Sequence, residues 1–299
     1  MPLKLSHSSV QNYNDCRMKY RLMNVQGIKR RGVIIPFITG RAVHAYQQAL
    51  REGLSPEQCE LALLKEFDIP EQQVAMLSRD DQNKLDVEKY RSLAMMQSYT
   101  SAYASDSTQY SKWITESHIE IPLIDDVVYH GYIDCLTQDV AGDWWIFETK
   151  TASSGTVNAE YFERVKIDSQ VAGYMELAKA KLGFYPRGIV YDVILKTQHS
   201  RKQGESNGSF INRLRNLYVN EWKTRGLFER HEVEVGSNTI KRWNSDIRTI
   251  AKEIKTLIDN KEKNWTRNTG HCLGKFGACP MFNICTTGRM NKLLYEARN

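Results

Sequence analysis

The sequence predicts an α/β protein built on a small sheet flanked by helices. The segments Trp113–Ile121, Val127–Leu136 and Asp143–Lys150 are rich in β-branched and aromatic residues or alternate in polarity, which is typical of strands. Segments with helical spacing of apolar residues precede and follow them, as in Ile38–Glu52. The chain is 41% hydrophobic and 25% charged, so it has the composition of an ordinary globular protein rather than of a disordered one.

The N-terminal part is predicted to be helical. A first helix is expected to start at an N-cap formed by Ser8-Ser9 and to run to about Val25. A basic loop from Gly27 to Pro36 then leads into the second helix. Further helices are predicted over Pro56–Phe67 and Arg79–Ala104.

The three strands are followed by one predicted helix, Ala159–Leu182, and by a strand, Gly188–Leu195. The polar segment Thr197–Ser209 is expected to be an exposed, mobile loop. The chain is then helical to about Lys261, apart from one short strand at His231–Val235, and ends in a tail that contains cysteines. We therefore expect three parts: a helical region over 1–110, a core over 111–235 and a C-terminal segment over 236–299.

Composition and charge limit the classes of function. No apolar run approaches the ~18–20 residues that cross a bilayer, and the N-terminus lacks the apolar stretch of a secretory signal, so we expect a cytoplasmic protein that does not bind membranes. The net charge of +6 permits a polyanionic partner but does not require one.

Two carboxylates are predicted to face each other across a hairpin centred near Ala141. An antiparallel pairing about this residue places Asp134 opposite Glu148, where like charges repel. A divalent cation would remove the repulsion, because carboxylate oxygens are ligands that Mg²⁺ and Mn²⁺ prefer. Lys150 lies two residues beyond Glu148 and hence on the same face. The alternative is a solvated pair on a wet sheet face, but the apolar flanks of both residues disfavour it.

The cysteines fall into two groups. Cys59 and Cys135 lie among apolar neighbours and are predicted to be buried thiols. The four others suit Zn²⁺ or an iron–sulfur cluster, although their spacing is not that of a zinc finger. His271, beside one of them, keeps zinc open, and four unrelated thiols are a further alternative. These four residues are Cys16, Cys272, Cys279 and Cys285.

Four short motifs occur in an order that resembles the PD-(D/E)XK nuclease superfamily, and within it the RecB-like exonuclease branch with the AddB-type and CRISPR-adaptation nucleases. No proline precedes Asp134, because Ile133 stands there. The motifs are Gly40-Arg41-Ala42-Val43-His44, Gly131-Tyr132-Ile133-Asp134, Glu148-Thr149-Lys150 and Gln170-Val171-Ala172-Gly173-Tyr174.

The resemblance implies a restriction-endonuclease-like core, with a small mixed central sheet, and a metal-dependent deoxyribonuclease activity. Asp134, Glu148 and the backbone carbonyl of Thr149 would hold one or two Mg²⁺ or Mn²⁺ ions. His44 would be a further ligand.

The same resemblance assigns roles to residues around the metal. Lys150 would position the attacking water. Gln170 and Tyr174 would contact the DNA backbone and orient the site. Glu116, on the preceding strand, would correspond to an additional acidic position.

The resemblance also implies a [4Fe–4S] cluster with a structural role, held by the one N-terminal and the three C-terminal cysteines, with Zn²⁺ as the alternative. The gap between Cys272 and Cys279 is wider than in many members of the branch. Such a cluster would tie the two ends of the chain together.

These inferences predict an exonuclease that acts on single-stranded or frayed DNA ends in recombination, repair or processing. The alternatives are a non-catalytic iron–sulfur DNA-binding module and a structure-specific endonuclease. A recombination, helicase or CRISPR-adaptation partner and the oligomeric state are left open. Candidate base-stacking residues are Trp113, Trp222 and Trp243. Candidate phosphate contacts are Arg30, Arg31, Arg41, Lys196, Arg201 and Lys202.

Overall fold

The computed structural model describes residues 2–153, 157–274 and 277–297, without the side chain of residue 107. Residues 275–276 and 298–299 of the predicted cluster-binding segment therefore lie outside the described residues. The chain forms two units. The sheet unit comprises Val33–Ile119 and Tyr132–Lys241. The terminal unit comprises the described residues of 1–32, 120–131 and 242–299.

The strands and helices are numbered in chain order. The strands are β1 (Leu3–Leu5), β2 (Ile28–Arg30), β3 (Tyr110–Ile124), β4 (Val127–Asp139), β5 (Trp144–Ser153), β6 (Gly188–Lys196), β7 (Phe228–Glu234), β8 (Leu273–Gly274), β9 (Gly277–Ala278) and β10 (Tyr295–Ala297). The α-helices are α1 (His7–Asp15), α2 (Arg17–Tyr20), α3 (Ile35–Arg51), α4 (Pro56–Lys65), α5 (Glu71–Ala75), α6 (Arg79–Ala102), α7 (Asp106–Gln109), α8 (Ala159–Val165), α9 (Ser169–Leu182), α10 (Asn207–Glu221), α11 (Ser237–Asp259) and α12 (Phe282–Thr287). Arg21–Val25 forms a π-helix and Thr269–His271 a 3₁₀ helix.

A mixed sheet is the centre of the sheet unit. Strands β4, β5, β6 and β7 lie side by side in this order, and β3 pairs with β4. The β4–β5 and β6–β7 pairs are antiparallel, whereas β5 and β6 are parallel. Helices α3 and α9 both contact β5, and α6 packs against α3 and α10. The predicted α/β class, with a small mixed central sheet flanked by helices, is confirmed.

The turn between β4 and β5 sets the register of the hairpin. The Asp139 carboxylate accepts hydrogen bonds from the Asp143 N–H and from the Trp145 indole N–H, each at 2.9 Å. Gly142 has φ 92°, a left-handed conformation that glycine adopts without strain. The type of turn and the length of the loop fix the register in which the two strands pair.

The single helix predicted over Ala159–Leu182 is wrong, because the chain forms α8 and α9 with a break between them. The Asp168 side chain accepts a hydrogen bond from the Gln170 N–H at 2.7 Å and caps the second helix. A side-chain cap stabilises a helix start, and it competes with continuation of the preceding helix.

The first predicted helix also differs from the structure. It begins at His7 with Ser6 as its N-cap, and Ser9 completes the capping box. Cys16 is extended, with φ −167°, and separates α1 from α2. The predicted basic loop contains strand β2, which pairs with β10, so the tail forms regular structure that the sequence did not reveal.

Strand β1 of the terminal unit is three residues long. It pairs in parallel with the first residues of β4, Val127–Tyr129. Among the described helices, none combines the length and the apolar character needed to span a membrane.

A buried ion pair lies on β6 and β7. Asp192 has 0% exposure and accepts hydrogen bonds from Tyr99 Oη at 2.6 Å and from Arg230 Nε at 3.2 Å. Arg230 also bonds Asp106 at 2.6 Å. Burial of the Asp192 charge is tolerated because these donors replace its hydration.

We expect Arg230→Ala to lower the free energy of unfolding by about 3–5 kcal/mol, because it leaves the buried Asp192 without its cation. Urea denaturation measures this loss. Arg225→Ala removes the exposed pair with Glu221 and should cost less than about 1 kcal/mol. Equal losses in both variants would contradict a stabilising role for the buried pair.

Candidate active site

The hairpin brings Asp134 and Glu148 together in the predicted register. Cys135 pairs with Phe147 and Leu136 with Ile146, the alignment that places the two carboxylates opposite each other one residue further along. At that point the Thr149 N–H donates to Asp134 Oδ2 at 3.1 Å. The β-ribbon therefore carries both acidic groups toward the same place.

Helix α3 adds an imidazole to this pair. His44 Nδ1 lies 3.1 Å from Asp134 Oδ2. Burial lowers the pKa of His44, but the Asp134 and Glu148 charges raise it by more, so the pKa lies above its usual value. Burial raises the pKa of Asp134, yet His44 and the Thr149 N–H lower it by more, so this carboxyl is held in its ionised form.

Glu148 is the most deeply placed acid of the site. It is 2% exposed, and its Oε1 is ion-paired with Lys150 Nζ. Its Oε2 is buried with no hydrogen-bond partner among the described residues. Burial, followed by the nearby Asp134 charge, raises the pKa of Glu148 to about 7.

Lys150 is linked to helix α9 through a chain of side chains. Its Nζ donates to Gln170 Oε1 at 3.1 Å, and Gln170 Nε2 donates to Tyr174 Oη at 2.9 Å. Burial lowers the pKa of Lys150, but Glu148 and Asp134 raise it by more, so the ammonium stays charged. The cap at Asp168 places Gln170 at the start of α9, within reach of the strand.

Sequence reasoning missed Gln47, which lies three residues after His44 on the same side of α3. This residue is 1% exposed; its Oε1 accepts a hydrogen bond from Thr149 Oγ1 and its Nε2 donates to Asp192 Oδ2 at 3.2 Å. Its spacing of three residues from His44, which places both side chains on one side of a helix, was the signal in the sequence that could have identified Gln47.

The donor set fits a hard divalent cation, although it is not assembled as a metal cage. Among the described residues, no three His, Cys, Asp or Glu side chains converge closely enough to hold one metal ion. Asp134 and Glu148 supply the oxygen donors that Mg²⁺ and Mn²⁺ prefer. The partnerless Oε2 of Glu148 is a buried acceptor that a cation would satisfy.

Glu116 lies on β3 and is exposed. Its φ of 29° is in a region that residues other than glycine rarely adopt. Its assignment as an additional acidic position stays a prediction.

The four cysteines assigned to the cluster line one cavity of about 70 Å³ in the terminal unit. All are free thiols. Burial, followed by the neighbouring cysteines, raises the pKa of Cys285. Cys59 and Cys135 are fully buried, as predicted.

Half of the candidate phosphate contacts are engaged within the chain. Arg31 pairs with Glu296, Arg41 with Glu66 and Arg201 with Asp86. Arg30 and Lys202 are exposed, and Lys196 is half-buried at the end of β6.

The loop after β6, predicted to be mobile, is tied to α6, since Arg91 donates to the His199 carbonyl at 2.7 Å. Trp243 is wrong as a base-stacking residue, because it is buried against Tyr129. Trp113 packs on Phe147 in the core, and Trp222 is half-buried beside Phe228.

The sequence model of the PD-(D/E)XK nuclease superfamily matches residues 4–286. The chain therefore belongs to this superfamily of hydrolytic nucleases.

A solved structure shows the same fold. The crystal structure of a protein named "Putative exonuclease" from Eubacterium rectale has a TM-score of 0.52 at 11% identity, over 97% of this chain and 89% of that chain. The structure of SSO0001 matches over 85% and 86% of the two chains at 13% identity, but its TM-score of 0.31 is too low to bear on the fold. Comparison with curated proteins gives no match.

We expect Glu148 to make the metal-free protein less stable as the pH rises. Below pH about 4.5 the carboxyl is protonated in both folded and unfolded chains. As the pH rises from about 4.5 through about 7, the unfolded chain releases this proton while the folded protein keeps it, so the free energy of unfolding falls and then levels off. In EDTA, we compare the free energy of unfolding of Glu148→Gln with that of the wild type. This difference should shift in favour of the variant by about 1–3 kcal/mol between about pH 5 and about pH 8.

Urea denaturation at both pH values measures this difference, and added Mg²⁺ should reduce it by stabilising the wild type. The exposed Glu232→Gln is the control and should show no such gain. A pH-independent difference between Glu148→Gln and the wild type would contradict the raised pKa.

Proposed function

We propose that the protein is a metal-dependent deoxyribonuclease of the RecB-like exonuclease branch, which hydrolyses phosphodiester bonds at single-stranded or frayed DNA ends. The observation that carries the proposal is the buried Glu148 carboxylate, with one oxygen unsatisfied among the described residues and Asp134 beside it. Such a group destabilises a fold unless a cation occupies the site, so its presence favours a metal-binding role.

The metal ligands would be the carboxylates of Asp134 and Glu148 and the backbone carbonyl of Thr149. His44 would add its Nε2, because its Nδ1 contacts Asp134. When bound, Mg²⁺ or Mn²⁺ neutralises charge on the phosphate and acidifies a water molecule.

The side chains around the carboxylates orient the reacting groups. Lys150 is cationic, so it donates hydrogen bonds and stabilises negative charge rather than accepting a proton. Gln170 holds Lys150 on one side and Tyr174 on the other, so it aligns both donors toward the DNA backbone. This network supports electrostatic stabilisation as the role of Lys150 and positioning as the role of Gln170.

Action at DNA ends, in recombination, repair or processing, is inferred from the motif order and from the name of the Eubacterium rectale protein. With Mg²⁺ or Mn²⁺, we expect the protein to degrade an end-labelled linear single strand and to leave a circular single strand intact. Cleavage of the circle would indicate an endonuclease instead. No digestion of linear or circular strands, or of a labelled duplex, would indicate a non-catalytic DNA-binding module.

We expect Asp134→Asn and Lys150→Ala each to lower the cleavage rate by at least about 100-fold, because the first weakens a proposed metal ligand and the second removes a cation beside the reacting phosphate. Single-turnover cleavage of the labelled strand measures the rate, and circular dichroism checks the fold. The matched control is Lys166→Ala, which removes an exposed lysine paired with Glu163 and should cleave normally. Normal cleavage by Asp134→Asn or Lys150→Ala would refute the site.

We also propose that the cysteine cavity holds a [4Fe–4S] cluster that ties the N-terminal segment to the C-terminal tail. In support, the Asn268 N–H donates to Cys16 Sγ at 3.4 Å, a contact of the kind that surrounds iron–sulfur ligands. Cys279 and Cys285 also pack against an apolar cluster that includes Met281, and this would shield a cofactor.

Zinc is the alternative to the cluster, because four thiolates also suit tetrahedral Zn²⁺. The cluster is preferred on the resemblance to the nuclease branch that carries one.

We expect the protein purified without oxygen to contain iron and acid-labile sulfide, and Cys16→Ser or Cys285→Ser to lose both. Either variant should also melt at a lower temperature, because the link across more than 250 residues is lost. Elemental analysis and thermal melts measure these effects. Cys59→Ala, in the other unit, should keep its iron, and zinc in place of iron would overturn the cluster assignment.

A further inference from the structure

Tyr132 is an exposed aromatic residue on the strand that carries Asp134. It is 59% exposed, whereas Ile133 and Cys135 beside it are fully buried. Side chains alternate along a strand, so Tyr132 and Asp134 leave the same face of β4, about 7 Å apart along the chain. The ring therefore borders the carboxylates without belonging to the core.

His118 forms a stack with this ring. The two ring centroids are 4.5 Å apart and the planes differ by 27°. His118 is itself exposed. With one face of Tyr132 against His118, the exposure of Tyr132 leaves its other face accessible, and the pair forms an aromatic shelf beside the site.

The backbone of β3 is strained on the way to this shelf. Glu116 has φ 29°. Before Glu116, the Lys112 carbonyl accepts a hydrogen bond from Thr137 Oγ1, and after it His118 stacks on Tyr132. Residues in sparsely populated backbone conformations cluster at active sites and ligand-binding segments.

We propose that the Tyr132–His118 shelf stacks against a nucleobase of the DNA strand next to the cleaved phosphate. This inference rests on the proposed function, because the shelf meets the DNA only if the nearby Asp134 belongs to a site that binds DNA. Aromatic rings bind bases by stacking regardless of sequence. A base within a duplex is already stacked on its neighbours, so the shelf selects unpaired nucleotides, which makes the substrate class single-stranded or frayed DNA.

The test measures binding separately from cleavage. Fluorescence anisotropy of a labelled single-stranded oligothymidylate in EDTA reports affinity without turnover. We expect Tyr132→Ala to weaken the Kd by about 5- to 100-fold and Tyr132→Phe to change it by less than about twofold, because the ring and not the hydroxyl makes the stack. Tyr185→Ala, which removes an exposed tyrosine bonded to Glu176, is the control and should bind normally.

Abasic substitution assigns any loss to the base. An abasic residue moved along the oligonucleotide should, at one position, weaken wild-type binding as much as Tyr132→Ala does, and should have no effect there on Tyr132→Ala. The proposal would be overturned if Tyr132→Ala bound the oligonucleotide as tightly as the wild type does. It would also be overturned if every abasic position weakened binding by Tyr132→Ala as much as it weakens binding by the wild type. If the wild type cleaves nothing with Mg²⁺ or Mn²⁺, the nuclease function fails, while the anisotropy series still decides whether the shelf stacks on bases.

Discussion

Repulsion between two carboxylates on one β-hairpin is the constraint on which the site depends. Asp134 and Glu148 are placed together by strand pairing, and the structure lowers the pKa of the first and raises that of the second. His44 contacts Asp134, Lys150 places a positive charge beside Glu148, and Gln170 holds the lysine. His44 belongs to α3, Lys150 to β5 and Gln170 to α9. The packing of the two helices on the sheet therefore decides whether these three side chains reach the carboxylates.

A second polar layer supports the strands that carry these groups. Gln47 joins Thr149, at the centre of the site, to the buried Asp192. The guanidinium groups of Arg51 and Arg230 lie 4.2 and 4.8 Å from the centroid of the Phe147 ring. Buried charges are costly unless every partner is in place, so this layer permits few alternative strand positions. Chemistry that tolerates displacements of only about 0.5 Å benefits from such rigid support.

The parts that the sequence predicted well are those set by local chemistry. The hairpin followed from strand periodicity and from the turn near Ala141, and the structure confirms its register. The break before α9 was missed because a single cap at Asp168 outweighs a helical pattern that continues on both sides. Asp192 was missed because it is one polar residue in an otherwise apolar strand, and its partners are distant in sequence. Tertiary hydrogen bonds of this kind leave no periodic signal.

Two sets of side chains with different metal preferences lie in different units of the chain. Asp134 and Glu148 belong to the sheet unit, and Cys16, Cys272, Cys279 and Cys285 belong to the terminal unit. Carboxylate oxygens suit hard cations, whereas thiolates suit soft ones. The match to the superfamily begins before Cys16 and ends one residue after Cys285, so the thiols fall within the same matched region as the carboxylates. The cysteine segments are therefore part of the region that the superfamily model covers, together with the hairpin that carries the two carboxylates.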